Sequence, residues 1–257
     1  MRDIFEEIFV HAPLDPAEAV RRSTRQQLRR RFYRNAQVDE GDGGFAIRLD
    51  GRTPKSPTGA PLALPTQALA ELVAAEWAAQ GDDIDVGAMS TTRLAWGALA
   101  LSESSRAAAV ERVASFAASD LLCYFADGPA RLVERQERRW GPVIDWAEAA
   151  LGVQFRRAQG IVHQPQPPAT IERVAALALA EDAFALTGLV AAAGLFGSVI
   201  LAFALRRGEL TADAAFELSR LDETFQEEIW GVDAEAAARA DAMAKEAVTL
   251  ERWFRAL

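Results

Sequence analysis

The sequence predicts an α+β fold: a small antiparallel β-rich N-terminal domain (1–87) followed by a larger all-helical C-terminal domain (88–257). Three observations predict it. Phe45-Ala46-Ile47-Arg48-Leu49 alternates with a two-residue period, the pattern of a half-buried strand, and is flanked by turns rich in Gly and Asp. Beyond Gly87 strand signals all but vanish and helical segments follow one another. The chain has 257 residues, 50% hydrophobic and 25% charged, enough to bury a large core without disulfide staples.

Taken in order, the start Met1-Arg2-Asp3-Ile4-Phe5-Glu6-Glu7 is acidic early and has no long apolar run. It reads as neither a secretory signal nor an Arg-rich transit peptide, so the mature chain is expected to begin at Met1. Ala17 to Arg34 is helical in propensity and strongly basic, carrying Arg21, Arg22, Arg25, Arg29, Arg30, Arg31 and Arg34 with no acid after Glu18. Such a cluster reads either as a nucleic-acid patch or as a solvated face pairing with the chain's own acidic surface. The second reading is favoured, because only Phe32 and Tyr33 supply aromatics and no RNA-binding signature follows. Val38-Asp39-Glu40-Gly41-Asp42-Gly43-Gly44 predicts a hairpin turn before the Phe45–Leu49 strand, and Asp50-Gly51 predicts a second turn after it. Pro54, Pro57, Gly59 and Pro61 punctuate a loop that leads to a short strand at Leu62-Ala63-Leu64. Thr66 is the expected N-cap of a helix that runs through Leu69, Leu72, Val73, Glu76 and Trp77 to Ala79 and ends at Gly81. Asp82 to Gly87 is the predicted linker and domain boundary.

Helices are then predicted over Thr91–Ser102, Ser105–Phe125, Ala130–Leu151, Ile171–Leu179, Ala183–Arg207, Ala212–Trp230 and Ala234–Phe254, punctuated by Pro129, Pro142, Gly152, the Pro165-Gln166-Pro167-Pro168 run, Gly208 and Gly231. No repeat of fixed period is present. Ala183 to Leu205 carries no charge and is long enough to span a bilayer. Its richness in Ala and Gly and its amphipathic neighbours favour a central buried helix instead, with Gly188, Gly194 and Gly197 serving close packing. No integral membrane segment is therefore expected.

A net charge of −9 and an isoelectric point near 4.9 make a poor general binder of nucleic acid or anionic membrane. Cys123 is the single cysteine, and His11 and His163 are the two histidines, so the usual zinc sets cannot be assembled. No phosphate-cradling loop, dinucleotide fingerprint or nucleophile elbow occurs, and no cofactor is expected. A cysteine nucleophile would need Cys123 to meet His163, and the bland account of Cys123 is an inert buried thiol. Asp39, Glu40 and Asp42 lack calcium-loop spacing; Asp82, Asp83 and Asp85 could hold magnesium only with a second acidic cluster facing them.

Phe216 to Trp230 is the most informative segment. On a continuous helix Ala214, Leu218, Leu221, Phe225 and Ile229 form one core-facing stripe. Phe216, Glu223 and Trp230, seven residues apart in turn, line the opposite side. Either the helix is buried on both sides and Glu223 pairs with a core arginine, or this is a partner-binding face with aromatic anchors and a charged contact.

An ordered set of motifs then marks a resemblance. It includes Arg31-Phe32-Tyr33-Arg34-Asn35, Gly43 to Asp50, Thr53-Pro54-Lys55-Ser56-Pro57, Glu76-Trp77 and Thr92-Arg93-Leu94. It continues through Asp120-Leu121-Leu122-Cys123-Tyr124, Trp140-Gly141-Pro142, Asp145-Trp146-Ala147, Leu186-Thr187-Gly188, Ser219 to Gln226 and Trp230-Gly231. From about Arg31 to Asp233 the chain resembles the assembly chaperones of the ATP synthase catalytic sector that hold the free α subunit. The resemblance implies the same two-part fold, chaperoning in place of catalysis, and an unassembled α subunit as client. The chaperone would cover the α surface that faces β and be displaced by β without nucleotide hydrolysis. It implies a partner-binding role for Glu223 and Asp222, with Phe216 and Trp230 beside them, while Trp77, Trp140 and Trp146 read as packing residues. A protein monomeric when free and bacterial cytoplasmic is expected, or mitochondrial matrix if the chain is a trimmed form. The competing expectation is an enzyme of unknown substrate using Cys123 with His163 or metal chemistry at the acidic loops.

Overall fold

The computed structural model describes residues 29–41, 43–160 and 162–257. His11, Arg21, Arg22, Arg25 and Asp42 lie outside the described residues, as do the start of the chain and most of the predicted basic helix.

The predicted hairpin forms. β2 (Ala36–Gly41) and β3 (Gly44–Leu49) pair antiparallel, with Val38 opposite Ile47, and β4 (Ala63–Leu64) adds to the other edge of β3 with Leu64 opposite Phe45. The buried face of this sheet carries Ile47, Leu49, Leu62 and Leu64. α1 (Gln67–Ala78) lies against it and contributes Leu69, Val73 and Trp77 to the same core. Its N-cap is Thr66, whose hydroxyl oxygen accepts from the Leu69 amide at 3.2 Å, as expected.

Two predictions in this half are corrected. Arg29–Arg30 is a strand, β1, and not helix; it pairs antiparallel with β5 (Asp83–Ile84) inside the supposed linker. Arg31 accompanies this arrangement: its guanidinium donates to the carbonyls of Ala78, the last residue of α1, and Gln80 just past it, and to those of Tyr33 and Arg34. A cation on the C-terminal carbonyls of a helix is favoured by the unpaired acceptors and the negative end of the dipole.

In the helical part, α2 (Ser90–Leu99), α4 (Ala130–Leu151), α5 (Pro168–Ala180) and α10 (Ala234–Arg255) follow the predicted segments closely, while α3 (Glu103–Ala118) does so only at its start. The predicted Ser105–Phe125 helix stops at Ala118. A 3₁₀ turn (Leu121–Cys123) follows, then β6 (Tyr124–Phe125), which pairs in parallel with β7 (Ala158–Gln159). Strands of two residues are too short to show a period in the sequence.

The long apolar segment is two helices, α6 (Ala183–Phe196) and α7 (Val199–Arg206). Gly197 ends the first in the left-handed region at φ 64°, and Ser198 caps the second, accepting from the Leu201 amide at 3.1 Å. Every residue from Val199 to Leu205 is buried, and none of the described helices is long and apolar enough to cross a membrane. The glycines divide in role. A Cβ on Gly188 would lie 2.6 Å from Phe254 and 2.8 Å from the Trp253 indole nitrogen, so close packing does require that glycine. Gly194 has open space around it, which corrects the packing role expected for it.

Two acids bind these parts together. The Glu76 carboxylate, on α1, accepts from the amides of Thr91 and Thr92 and from the Thr92 hydroxyl, each at 2.7 Å, and so caps α2. Asp120 is fully buried and accepts from the Leu122 and Ile200 amides, each at 3.0 Å, joining the 3₁₀ turn to the start of α7. Burial pushes its carboxyl up to about 6, against the lowering effect of those amides and the Ser198 hydroxyl.

Candidate functional site

The predicted Ala212–Trp230 helix is also two helices, α8 (Ala212–Ser219) and α9 (Leu221–Trp230). The break is at Arg220, with φ −113° and ψ 20°. There the Leu218 carbonyl accepts the Trp140 indole N–H at 3.0 Å, and the Ser219 hydroxyl turns back to the Phe216 carbonyl at 2.8 Å. The seven-residue line of Phe216, Glu223 and Trp230 therefore does not continue through a single helix. Leu218, Leu221 and Phe225 are buried as the stripe predicted, but Ala214 is half-buried and Ile229 is 55% exposed.

The four predicted site residues have different surroundings. Phe216 is half-buried against the core with the Arg220 guanidinium over its ring, 5.9 Å from the centroid. Asp222 is half-buried and accepts from the Gln136 amide at 2.7 Å, while the other end of buried Gln136 accepts from the Ala126 amide at 2.8 Å. Burial raises the Asp222 pKa against the Gln136 hydrogen bond, with the neighbouring Glu223 charge adding to the rise. Glu223 is exposed in the first turn of α9 and has no ion pair or side-chain hydrogen bond among the described residues. Trp230, at the end of α9, is 80% exposed.

The rest of α9 is held in place. Glu228 takes a bidentate contact from Arg135 at 2.7 and 2.8 Å, and that guanidinium lowers the Glu228 pKa. Arg135 also sits over the buried Phe225 ring at 5.2 Å. Glu227 pairs with Arg220 at 2.7 Å. Two acids are thus neutralised while Glu223 is left to solvent, and the exposed apolar surface at the helix end is made by Ile229, Trp230 and, past the Gly231 turn, Val232. Sequence reasoning extended one wheel through Arg220, set Ile229 on the buried stripe one turn beyond Phe225, and had no reading of Val232 past Gly231. The acids Asp222 and Glu223, directly after Arg220, were the available signal of a new helix start.

A second concavity of about 600 Å³ lies between α2, α3, α6 and α10. Leu94, Leu101, Val190, Leu195 and Leu250 line it, and an Arg93–Glu246 pair at 3.1 Å stands on its rim.

The residues of the enzymatic alternative are not assembled. Cys123 is buried, and burial and the Asp120 charge push its thiol well above its usual range, so it is a poor nucleophile at neutral pH. His163 is exposed and its Nδ1 shares a 2.8 Å hydrogen bond with the Tyr124 hydroxyl. Asp39 pairs with Arg48 at 3.1 Å, Asp83 is in β5, and Asp85 caps the turn at Gly87 at 2.9 Å. Among the described residues no group of three or more His, Cys, Asp or Glu side chains is placed to hold a metal ion.

Comparison with known proteins adds a family context. The family model described as ATP12 chaperone protein matches residues 30–148, a span that stops short of α9. The Schizosaccharomyces pombe protein atp12, mitochondrial, is 26% identical over 214 residues, covering 79% of this chain and 74% of that protein. The crystal structure of Atp12 from Paracoccus denitrificans superposes with a TM-score of 0.82 at 38% identity, covering 88% of this chain and 97% of that one. A point mutant of the same protein superposes equally well. The Atu1473 protein of Agrobacterium tumefaciens gives a TM-score of 0.83 at 36% identity, with 95% of this chain and 92% of that one covered.

Proposed function

We infer that this chain, which belongs to the ATP12 chaperone family, is an ATP synthase assembly chaperone whose client is the free α subunit. It would cover the apolar α surface that faces β in the finished ring and give way when β arrives. The exchange of one protein surface for another needs no bond-breaking step. The observation that carries the reading is the pairing, on α9, of the unpaired Glu223 with an exposed Trp230, beside acids that the protein has already neutralised internally. Glu223 and Trp230 make the direct contacts, while Asp222 and Phe216 support them from below, through Gln136 and the core. We take 1–87 and 88–257 as two domains, with the client face on the second, and the free protein as a monomer. The compartment that goes with this role is the bacterial cytoplasm, with the mitochondrial matrix its counterpart in eukaryotes.

The test is capture of the cognate α subunit. Expressed alone, α is expected to be insoluble; with this protein it co-elutes on a sizing column, and added β releases it. Glu223→Gln, which keeps the fold, weakens capture. If α behaves identically with and without the chaperone, the reading fails; if only the Glu223 variant is without effect, the site assignment fails.

A further inference from the structure

Ile229, Trp230 and Val232 are 55%, 80% and 65% exposed, three large apolar side chains within four residues of chain. Leu221 and Phe225 are buried and fasten the base of α9 to the core. The bidentate Arg135–Glu228 contact then fixes the helix one residue before Ile229. The apolar tip is thus held out on a rigid support, and an anchor that is already ordered loses little freedom on binding. Solitary exposed apolar residues need no explanation, but a presented cluster that includes a tryptophan is the composition of an interface centre.

The surroundings of the tip specify its partner. From Leu221 to Ala238 the chain contains no Lys or Arg, while Asp222, Glu223, Glu227, Glu228, Asp233 and Glu235 all fall there. Arg220, Arg135 and Arg239 neutralise Glu227, Glu228 and Glu235, and Asp233 caps α10 through the Ala236 amide at 2.8 Å. Glu223 has no such partner among the described residues. The C-terminal end of α9, negative by its dipole, points the same way. We propose that Ile229, Trp230 and Val232 are the apolar anchor that engages the client, and that the client segment they accept is apolar and carries Lys or Arg. This rests on the chaperone reading above and adds to it the anchor residues and the chemistry of the bound segment. A second copy of the chain would set Glu223 against Glu223, and an anionic membrane would meet the same open charge.

The experiment uses the full chain and two surface variants. Trp230→Ser with Val232→Ser removes the anchor without changing charge; Leu179→Ser removes an exposed apolar side chain elsewhere. Each is checked for an unchanged melting temperature. Binding of two amphipathic peptides, one of Leu and Lys and one of Leu and Glu, is followed by tryptophan emission and anisotropy, alongside capture of the α subunit. The wild type and Leu179→Ser are expected to bind the Leu/Lys peptide equally, and the double variant at least tenfold more weakly; the Leu/Glu peptide does not bind. Tip-dependent peptide binding without α capture would sink the chaperone reading and leave the anchor standing. Equal peptide binding by the double variant and the wild type, or none by either, overturns the anchor whatever α does. So does concentration-dependent dimerisation, or binding to phosphatidylcholine–phosphatidylglycerol vesicles, that the double variant abolishes.

Discussion

Replacing Asp120 by Asn tests the buried junction on which the helical part depends. The carboxylate accepts from Leu122 on one oxygen and from Ile200 on the other, each at 3.0 Å, at zero exposure. An Asn side chain can accept at only one of these, and its NH₂ group then faces an amide donor. With the carboxyl protonated, as burial favours at low pH, the orphaned amide and the donor turned against it would cost roughly 2–4 kcal/mol together. At neutral pH part of this is offset, because Asn carries no buried charge. The size of that offset follows from linkage. The folded-state pKa is raised from 3.8 to about 6, so the folded protein holds the proton more tightly than the unfolded chain. Stability from this group is therefore fully present below about pH 4 and is lost as the pH rises through about 6. The gap amounts to roughly 3 kcal/mol at about 1.4 kcal/mol per pH unit. Asp120→Asn is thus expected to destabilise by about 2–4 kcal/mol at pH 4 and to lie within about 1 kcal/mol of the parent at pH 7. Urea unfolding of both proteins from pH 4 to 7.5 gives the difference directly, and the other titrating groups cancel in it. A difference that does not change with pH would refute the buried raised acid, and a variant as stable as the parent at pH 4 would refute the capping role.

Glu76→Ala removes three 2.7 Å hydrogen bonds from the start of α2 and leaves two helix amides without their acceptor, so a loss of about 2–4 kcal/mol is expected. Hydrogen exchange should show faster turnover at the Thr91 and Thr92 amides first; unchanged protection there would contradict the assignment. Gly188→Ala and Gly194→Ala form a pair on one helix. The first puts a methyl against Phe254 and Trp253 and should cost about 1–3 kcal/mol by overpacking, while the second meets nothing within 4 Å and should gain about 0.5–1 kcal/mol. Thermal melts that move in the same direction for both would remove the packing argument.

Much of the architecture is legible in the residues themselves. The period of Phe45–Leu49, the Thr66 cap, and the starts and ends of α4 and α10 follow from local chemistry that the tertiary fold does not oppose. The Gly197-Ser198 break was written in the sequence as a helix-ending glycine followed by a capping serine. The unbroken apolar run around it masked the signal. The break at Arg220 is different in kind. No Gly or Pro marks it, and it coincides with the Trp140 indole reaching the Leu218 carbonyl from 78 positions away. That competition belongs to the folded state, and its local trace is limited to the acids Asp222 and Glu223 in the first turn of the new helix. The pairings of β1 with β5 and β6 with β7 likewise belong to the folded state, each held by contacts remote in sequence.

On the proposed reading, the break at Arg220 is also what makes the docking surface available. On a continuous helix the wheel sets Ile229 on the stripe of Leu218, Leu221 and Phe225, and burying that whole stripe would carry the end of the helix into the core. With a new helix starting at Leu221, only Leu221 and Phe225 of α9 are buried, and the last turn extends beyond the core with Ile229 and Trp230 uncovered. Of the acids that share this helix, Asp222 is turned inward to Gln136, and Glu227 and Glu228 are closed by Arg220 and Arg135. Glu223 alone of the four has no partner among the described residues. The arginines therefore do more than stabilise the helix. Surface ion pairs contribute little energy, about 0–1 kcal/mol each, but these two reduce an acidic helix to one open charge beside an apolar tip. If the proposed anchor holds, a client matches one cation and one apolar contact together, which is a narrower requirement than net charge or stickiness alone.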